Sequence, residues 1–407
     1  MKVLNLSIVP LLLCSTFIFA NESNKSLEDY ISQNKKDQFL YDYKKNEAQS
    51  SKLRDSWIAP ISLQYSYSKS NPYTQTQTLH NAFIKMDQLV FQSGGIYYGI
   101  KFAQASKIYS DYSIDVAKRK LIKDAISLLM QIKQTSLKIL RQNLQIKKAE
   151  INLELKKEQY INGQLDSGFL DNAVIERNLA IETLYDIHTS KEKLVSKFNT
   201  ISDVSYKDVA VPHFELLDEK EFLKHNLALD MAKSQIKKDR YNKDVTIAKY
   251  LPSLNVVAGY NWDKTENQAS SAGVLSSSEK DYYNYGLRAS MPLDINTYRD
   301  IEISRVEYLK SKVVAQDKDR ELRALFEQVI QNIENFDKKI QLSKENSIIY
   351  EKLLADTKDL YEAGYKTLYD VEMLESSVEI QKKDLQVYEI DKQLEILSLY
   401  EMYKNDI

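Results

Sequence analysis

Glycine and proline are scarce in this chain, nine and six among 407 residues, and they are missing altogether from two long stretches. After Gly99 neither occurs until Gly163, and after Pro292 neither occurs until Gly364. Runs this long without a breaker form long helices or stay unstructured, and the apolar periodicity inside them selects helices. Cysteine is nearly absent too. The single Cys14 lies in the N-terminal apolar stretch behind Leu13, where lipidation would want a small residue. Loss of that stretch leaves a mature chain without disulfide or thiol chemistry. The four histidines, His80, His188, His213 and His225, show no ligand spacing, so no metal site is expected. No P-loop, nucleophile elbow or dinucleotide glycine pattern occurs. Carboxylates stand in alternating-sign runs such as Lys147-Lys148-Ala149-Glu150, the pattern of solvated coiled-coil faces rather than of general acids. Neither catalytic residues nor a cofactor are therefore expected, and the chain reads as a non-enzyme. With 28% charged residues and a net charge of −2, it has neither the basic excess of a nucleic-acid binder nor the skew of a disordered chain.

What is present starts with an export signal over residues 1–20. Lys2 precedes an apolar run from Ile8 to Phe19, and the small Ala20 stands before Asn21. The run falls short of the roughly 20 apolar residues that span a bilayer. No later segment is apolar enough for a transmembrane helix. An exported chain of this kind is periplasmic, secreted, or an outer-membrane protein built from strands.

Two copies of one plan follow. Each long run ends in a tetrad, Tyr160-Ile-Asn-Gly163 and Tyr361-Glu-Ala-Gly364, spaced by 201 residues. The first copy, 21–215, opens with a helix over about 27–54, and the second, 216–407, with one over about 219–248. Setting Pro60 on Pro252 also sets Tyr30 on Phe222 and Asn34 on Asn226. Each copy then offers an outgoing strand, a polar turn (69–79 and 263–280) and a returning strand (82–91 and 282–293). The two copies are read as one intertwined domain. In the second, the chain ends after its last helix, and the N-terminal Leu27 helix is expected to supply the missing half.

The strands alternate. Leu63, Tyr65 and Tyr67 share a face, as do Leu254, Val256, Ala258, Tyr260 and Trp262, and Tyr283, Tyr285, Leu287, Ala289 and Met291. Alternation alone does not separate a soluble half-buried sheet from a membrane one. The six aromatics Tyr65, Tyr67, Tyr260, Trp262, Tyr283 and Tyr285 fall beside the turns, as an interfacial girdle would. Four strands cannot close a barrel, and a membrane tolerates no open edge, so membrane strands require a barrel shared between subunits. Two chains would give eight strands and three would give twelve. The helical runs carry a/d seams, with Leu121, Ala125, Leu128, Ile132, Thr135, Ile139, Gln142, Ile146, Ala149 and Leu153 in the first. Leu322, Phe326, Val329, Ile333, Phe336 and Ile340 repeat it in the second.

Taken in order, the two Tyr-x-x-Gly tips, the strand entry Tyr250-Leu-Pro-Ser-Leu254 and the strand exits Gln88–Gly95 and Met291-Pro292-Leu293 resemble the TolC-like outer-membrane factor family. Its members are the exit ducts of bacterial efflux pumps and type I secretion systems. The resemblance implies a mainly helical fold with a small β part, as a homotrimer. A 12-stranded outer-membrane β-barrel in contact with lipid would continue into a periplasmic α-helical barrel. It further implies a passive conduit working with a periplasmic adaptor (membrane fusion) protein and an inner-membrane transporter. By the same resemblance Tyr160, Gly163, Tyr361 and Gly364 lie at the periplasmic aperture, where the adaptor docks. Lys366 becomes a gate-link cation and Asp370 a member of an acidic ring in the lumen. Phe169 stands where an acid often pairs with the other hairpin, which puts that salt bridge in doubt and leaves Asp166 or Asp171 as substitutes. The competing reading is a periplasmic or surface coiled-coil structural protein with a small soluble sheet.

Overall fold

The structure, a computed structural model, describes residues 26–71, 76–269 and 275–404, with no side-chain description for 267–276. The expected export signal and the middles of both polar turns lie outside the described residues. In chain order the elements are α1 (Gln33–Arg54), β1 (Ser62–Ser70), β2 (Gln77–Gln92), α2 (Gly95–Ile161) and α3 (Ser167–Asn199). There follow α4 (Glu219–Lys224), α5 (Leu227–Lys249), β3 (Ser253–Ala269), β4 (Leu275–Ser290), α6 (Thr297–Glu362) and α7 (Leu368–Tyr400). The breaker-free runs are helical throughout. At 67 and 66 residues, α2 and α6 each rise about 100 Å. Each folds back on a 33-residue partner, α3 or α7.

The expected seams are buried in part: Leu121, Leu128, Ile139, Ile146 and Leu153 of α2 and Phe336 and Ile340 of α6 are half-buried, while Ile122, Ile126, Leu129 and Met130 beside the α2 seam lie deeper. Ala125, Ile132, Thr135, Gln142 and Ala149 of α2, and Leu322, Phe326, Val329 and Ile333 of α6, are buried. Small residues that carry no apolar signal extend the α6 seam in both directions: Ser304, Ser311 and Ala315 above, Ser343 and Thr357 below. The repeat is exact enough to show in single bonds. Gln142 Nε2 donates to the Ala180 carbonyl at 2.8 Å, and Ser343 Oγ, 201 residues on, donates to the Gln381 carbonyl at 3.5 Å.

Both entry helices are broken where continuous helices were expected. A 3-10 turn, Leu27–Tyr30, precedes α1, and α4 precedes α5. In the second break the Asn226 side chain explains the restart. Its Oδ1 accepts from the Ala228 and Leu229 N–H groups at 3.0 and 3.2 Å, a bond that favours a helix start over continuation. The broken ends serve as joints. Ser32 N–H donates to the Ile201 carbonyl at 2.8 Å, seating α1 on the end of α3. Leu227 N–H donates to Met402 at 2.8 Å and Lys404 N–H to His225 at 2.7 Å, seating α5 on the end of α7. Each returning helix is thus continued by the entry helix of its own repeat. The expected exchange, with the Leu27 helix completing the second copy, does not occur.

The largest core lies at the level of these joints. Ile122, Ile126, Leu129 and Met130 of α2 meet Phe198, Phe222, Phe326, Leu397 and Leu399 there. The segment 200–218 is tied to this core through bonds from Tyr30 Oη to Ala210, from the Phe214 N–H to Gln393 and from Tyr400 Oη to Glu215. Phe222, 1% exposed, stacks at 5.8 Å on Phe326. Cutting it to alanine would open a cavity worth about 3–5 kcal/mol.

The sheet is antiparallel in the order β1-β2-β3-β4. Its hairpins are longer than the alternation suggested, because much of the segments read as turns, 69–79 and 263–280, is strand. Polar residues there alternate without an apolar partner, so their strand character left no hydrophobic signal. The returning strand of the second copy stops at Ser290, two residues before Pro292, and Met291 to Leu293 lie outside it.

Candidate functional site

The two helical tips are built alike. At the first, Gly163 adopts φ +70° while its N–H bonds to the Tyr160 carbonyl at 3.0 Å, and Gln164 N–H reaches Gln159 at 2.8 Å. At the second, Gly364 adopts φ +81° with the matching bonds to Tyr361 at 3.0 Å and from Tyr365 to Leu360 at 2.8 Å. This is the helix-ending motif that needs a left-handed residue, hence glycine. The next helices start on Asp166, whose carboxylate accepts from Gly168 N–H at 2.9 Å, and on Thr367.

The charges at the tips are less free than the sequence suggested. Asp370 accepts from both the N–H and the Oγ1 of Thr367, at 3.0 and 2.9 Å, closing a capping box. The Thr367 N–H holds the Asp370 carboxyl below the usual range, helped by the Thr367 hydroxyl and by Lys366. Lys366 Nζ is 3.9 Å away. Phe169 occupies the site equivalent to Asp370, so the first tip lacks that box. Asp166 is spent on its own helix and makes no bridge to the second hairpin. The tips are joined instead by a pair that sequence reasoning missed, Tyr369 Oη donating to Glu158 at 2.9 Å. That bond raises the Tyr369 pKa. Tyr160, Phe169 and Tyr361 are all exposed, as is Tyr365 beside them.

The same α2–α7 seam is polar along its length. Lys123 pairs with Glu401 and Arg141 with Asp384, each at 3.1 Å, and Gln134 bonds to Asp391. Burial pushes both aspartates up in pKa, against the pull of Arg141 on one and Gln134 on the other.

On the sheet, the six aromatics share the apolar face, which is largely exposed: Leu63, Tyr283, Tyr285 and Leu287 all stand open at more than 70%. They form a diagonal band rather than one level beside the turns. Tyr65 is level with Trp262 through Ala82, and Tyr260 faces Tyr283. From β1 to β4 the band's centre drops by two rows, or four residues. That is about 13 Å over three strand spacings of about 4.8 Å, a slope of roughly 40°. Barrel strands in outer membranes tilt by about 35–45°. A band of this slope is therefore level when the strands tilt.

The polar atoms of the band point one way. Tyr65 Oη bonds His80 at 2.8 Å, Tyr260 Oη bonds Asp281 at 2.8 Å and Trp262 Nε1 bonds Glu279 at 2.9 Å, each one row nearer the turns. Rings with apolar bodies below and wet tips above suit an interface. From Trp262 back to Ser253 is about 30 Å of strand, or about 23 Å after tilting, close to the ~25 Å apolar band of such barrels. At the opposite strand ends the chain exposes Trp57, Tyr97 and Tyr298, with Leu293 at 91% and Ile295 at 90%. The sequence reading missed these because Trp57, Leu293 and Ile295 lie in irregular segments and Tyr97 and Tyr298 in the first turns of α2 and α6, where no strand alternation marks them.

Among the described residues no helix is long and apolar enough to cross a membrane, and no group of three or more His, Cys, Asp or Glu side chains could hold a metal ion.

Long helical hairpins beneath an open-edged sheet with an apolar outer face are the architecture of solved outer-membrane channels. Residues 220–402, nearly the whole second repeat, match the family model described as outer membrane efflux protein. Over these residues the chain is similar to that TolC-like family, which is one of channels and not of enzymes. Proteins of that family lie in the outer membrane of Gram-negative bacteria, with the helical part in the periplasm. The fold is similar to that of the Campylobacter jejuni CmeC outer membrane channel, with a TM-score of 0.69 and 13% identity over 99% of this chain and 95% of that one. It is similar also to the outer membrane protein VceC of Vibrio cholerae, with a TM-score of 0.68 and 12% identity over 93% and 95%. The open state of the Neisseria gonorrhoeae MtrE outer membrane channel gives a TM-score of 0.64 at 12% identity over 92% of this chain and 87% of that one. No curated protein matches the chain.

Proposed function

We propose that the chain is the exit duct of a tripartite efflux pump or a type I secretion system. Three copies pool their strands into one twelve-stranded barrel, as structures of the family are trimers. The observation that carries this is the sheet itself. β1 and β4 each leave one edge unpaired, while the face they share is apolar, exposed and ringed by aromatics. Such edges are tolerable in lipid only when another copy closes them. The helices then continue the barrel as a tube whose end is formed by Tyr160, Gly163, Asp166, Phe169 and Asp171 of one tip and Tyr361, Gly364, Lys366 and Asp370 of the other. A periplasmic adaptor docks at this end, and an inner-membrane transporter supplies the energy. The girdle of Tyr65, Tyr67, Tyr260, Trp262, Tyr283 and Tyr285 sets the depth in lipid.

Native mass measurement of the chain extracted in mild detergent should find three copies, and the extract should conduct ions across a planar bilayer. A stable soluble monomer that keeps its strands would sink the reading and leave the coiled-coil structural protein in its place.

A further inference from the structure

A cavity of about 340 Å³ lies between α2 and α5, on the part of the tube nearest the strands. Lys101 enters it from α2, and Lys233 and Lys237 from α5. No ion pair among the described residues engages any of the three, although neighbouring lysines are paired: Lys107 with Glu47, Lys118 with Glu28 and Lys243 with Asp244. One acid, Asp230, shares the lining, which leaves the cavity with a formal charge of +2 in a chain of −2. Tyr112, Tyr241 and Gln104 add neutral donors. Among the described residues none of these three has a hydrogen-bond partner, and the buried Ser234 Oγ spends its proton on the Met231 carbonyl. Ammonium, phenol and amide donors converging on one space, with Asp230 as the one carboxylate among them, suit a ligand rich in anionic oxygens.

We infer that the groove between α2 and α5 is a binding site for a phosphate-type oxyanion, with Lys101, Lys233 and Lys237 as its cations. Both helices belong to one chain, so the site is complete in each copy and owes nothing to the gate or to the hairpin tips. Depth bears on the source of the anion. Lys101 lies six residues beyond Gly95 and Lys237 twelve before Lys249, or about 9 and 18 Å of helix below the strand junctions. This favours a soluble oxyanion over a lipid headgroup.

The test is calorimetric titration of the detergent-solubilised full chain with inorganic pyrophosphate at constant ionic strength. Saturable binding of one anion per chain is expected. Lys233→Gln with Lys237→Gln should weaken it at least tenfold, and Lys147→Gln with Lys148→Gln should leave it unchanged. Asp230→Asn should tighten it severalfold, a gain that misfolding cannot mimic. In a second arm the chain is placed in phosphatidylglycerol or phosphatidylcholine nanodiscs. Stabilisation by phosphatidylglycerol that disappears in the Lys233/Lys237 variant and is displaced by pyrophosphate would assign the site to a headgroup phosphate. Without it, pyrophosphate binding assigns the site to a soluble anion. If neither probe binds saturably, or if both lysine pairs matter equally, the site does not exist.

Discussion

Asp370 performs one task visibly, closing the box with Thr367 at the start of α7, and is proposed for a second, as a charge in the lumen. Substitutions can separate the two. Thr367→Ala removes the cap and keeps the charge, whereas Asp370→Asn removes the charge. In planar bilayers Asp370→Asn should lower cation selectivity and Thr367→Ala should not. Both should speed hydrogen exchange at residues 368–371 by an amount equivalent to about 0.5–1 kcal/mol. Equal selectivity in the two variants would remove Asp370 from the lumen. The pH dependence has a definite sign. A carboxyl whose folded pKa is depressed contributes stability above its unfolded pKa of about 3.9, lost as pH falls through the folded value. The tip of α7 should therefore fray in acid.

The paired helix endings put a limit on what the tips tolerate. A Cβ added at Gly163 or Gly364 would meet nothing within 4 Å, so alanine there costs only backbone strain. That strain is about 1–2 kcal/mol for a left-handed residue, and asparagine, which bonds locally, should cost less than alanine. Limited proteolysis at the tips should follow the order glycine, asparagine, alanine in increasing rate. These turns were legible in the sequence because glycine alone suits them and the intervals before them lack breakers. The seams were legible for the same kind of reason, apolar residues at alternating steps of four and three. Joints and strand ends were not. The break before Asn226 depends on a side chain competing with the backbone, and the outer halves of β3 and β4 are strands of polar residues. Glu158 and Tyr369 escaped notice because they meet across 211 residues with no shared motif.

Between the two hairpins of a chain, α2 and α7 are held by charged and amide groups rather than by a purely apolar seam. Asp384 and Asp391 have folded pKa values raised chiefly by burial. For a carboxyl of this kind, stability is greatest below the unfolded pKa of about 3.9 and is lost as pH rises through the folded value. Mild acid should therefore tighten this seam, whereas the α7 tip loosens only in stronger acid, below about pH 3.9. Asp391→Asn keeps a partner for Gln134 without a desolvated charge, so it should raise the unfolding temperature at pH 7 and flatten its pH dependence. Asp384→Asn should gain less, because it also weakens the charge-assisted bond to Arg141 by about 1–2 kcal/mol. Unfolding followed at pH 5 and 7 for the two variants checks this; if neither exceeds the parent at pH 7, burial of these carboxylates does not tune the seam.

The closure of each repeat upon itself also bears on how the chain reaches its destination. A polypeptide crossing the inner membrane from its N-terminus can seat Ser32 on Ile201 while the second half is still inside the cell. The joint of α1 and α3 can then form in transit, although the α2 core still waits for Phe326, Leu397 and Leu399. The sheet waits too. β2 pairs with β3 of the second repeat, and until β3 emerges its row of N–H and carbonyl groups is open to any passing strand. For a nascent duct, the dangerous interval is the time between the arrivals of Gln92 and Ser253, and that is when a periplasmic chaperone has something to protect.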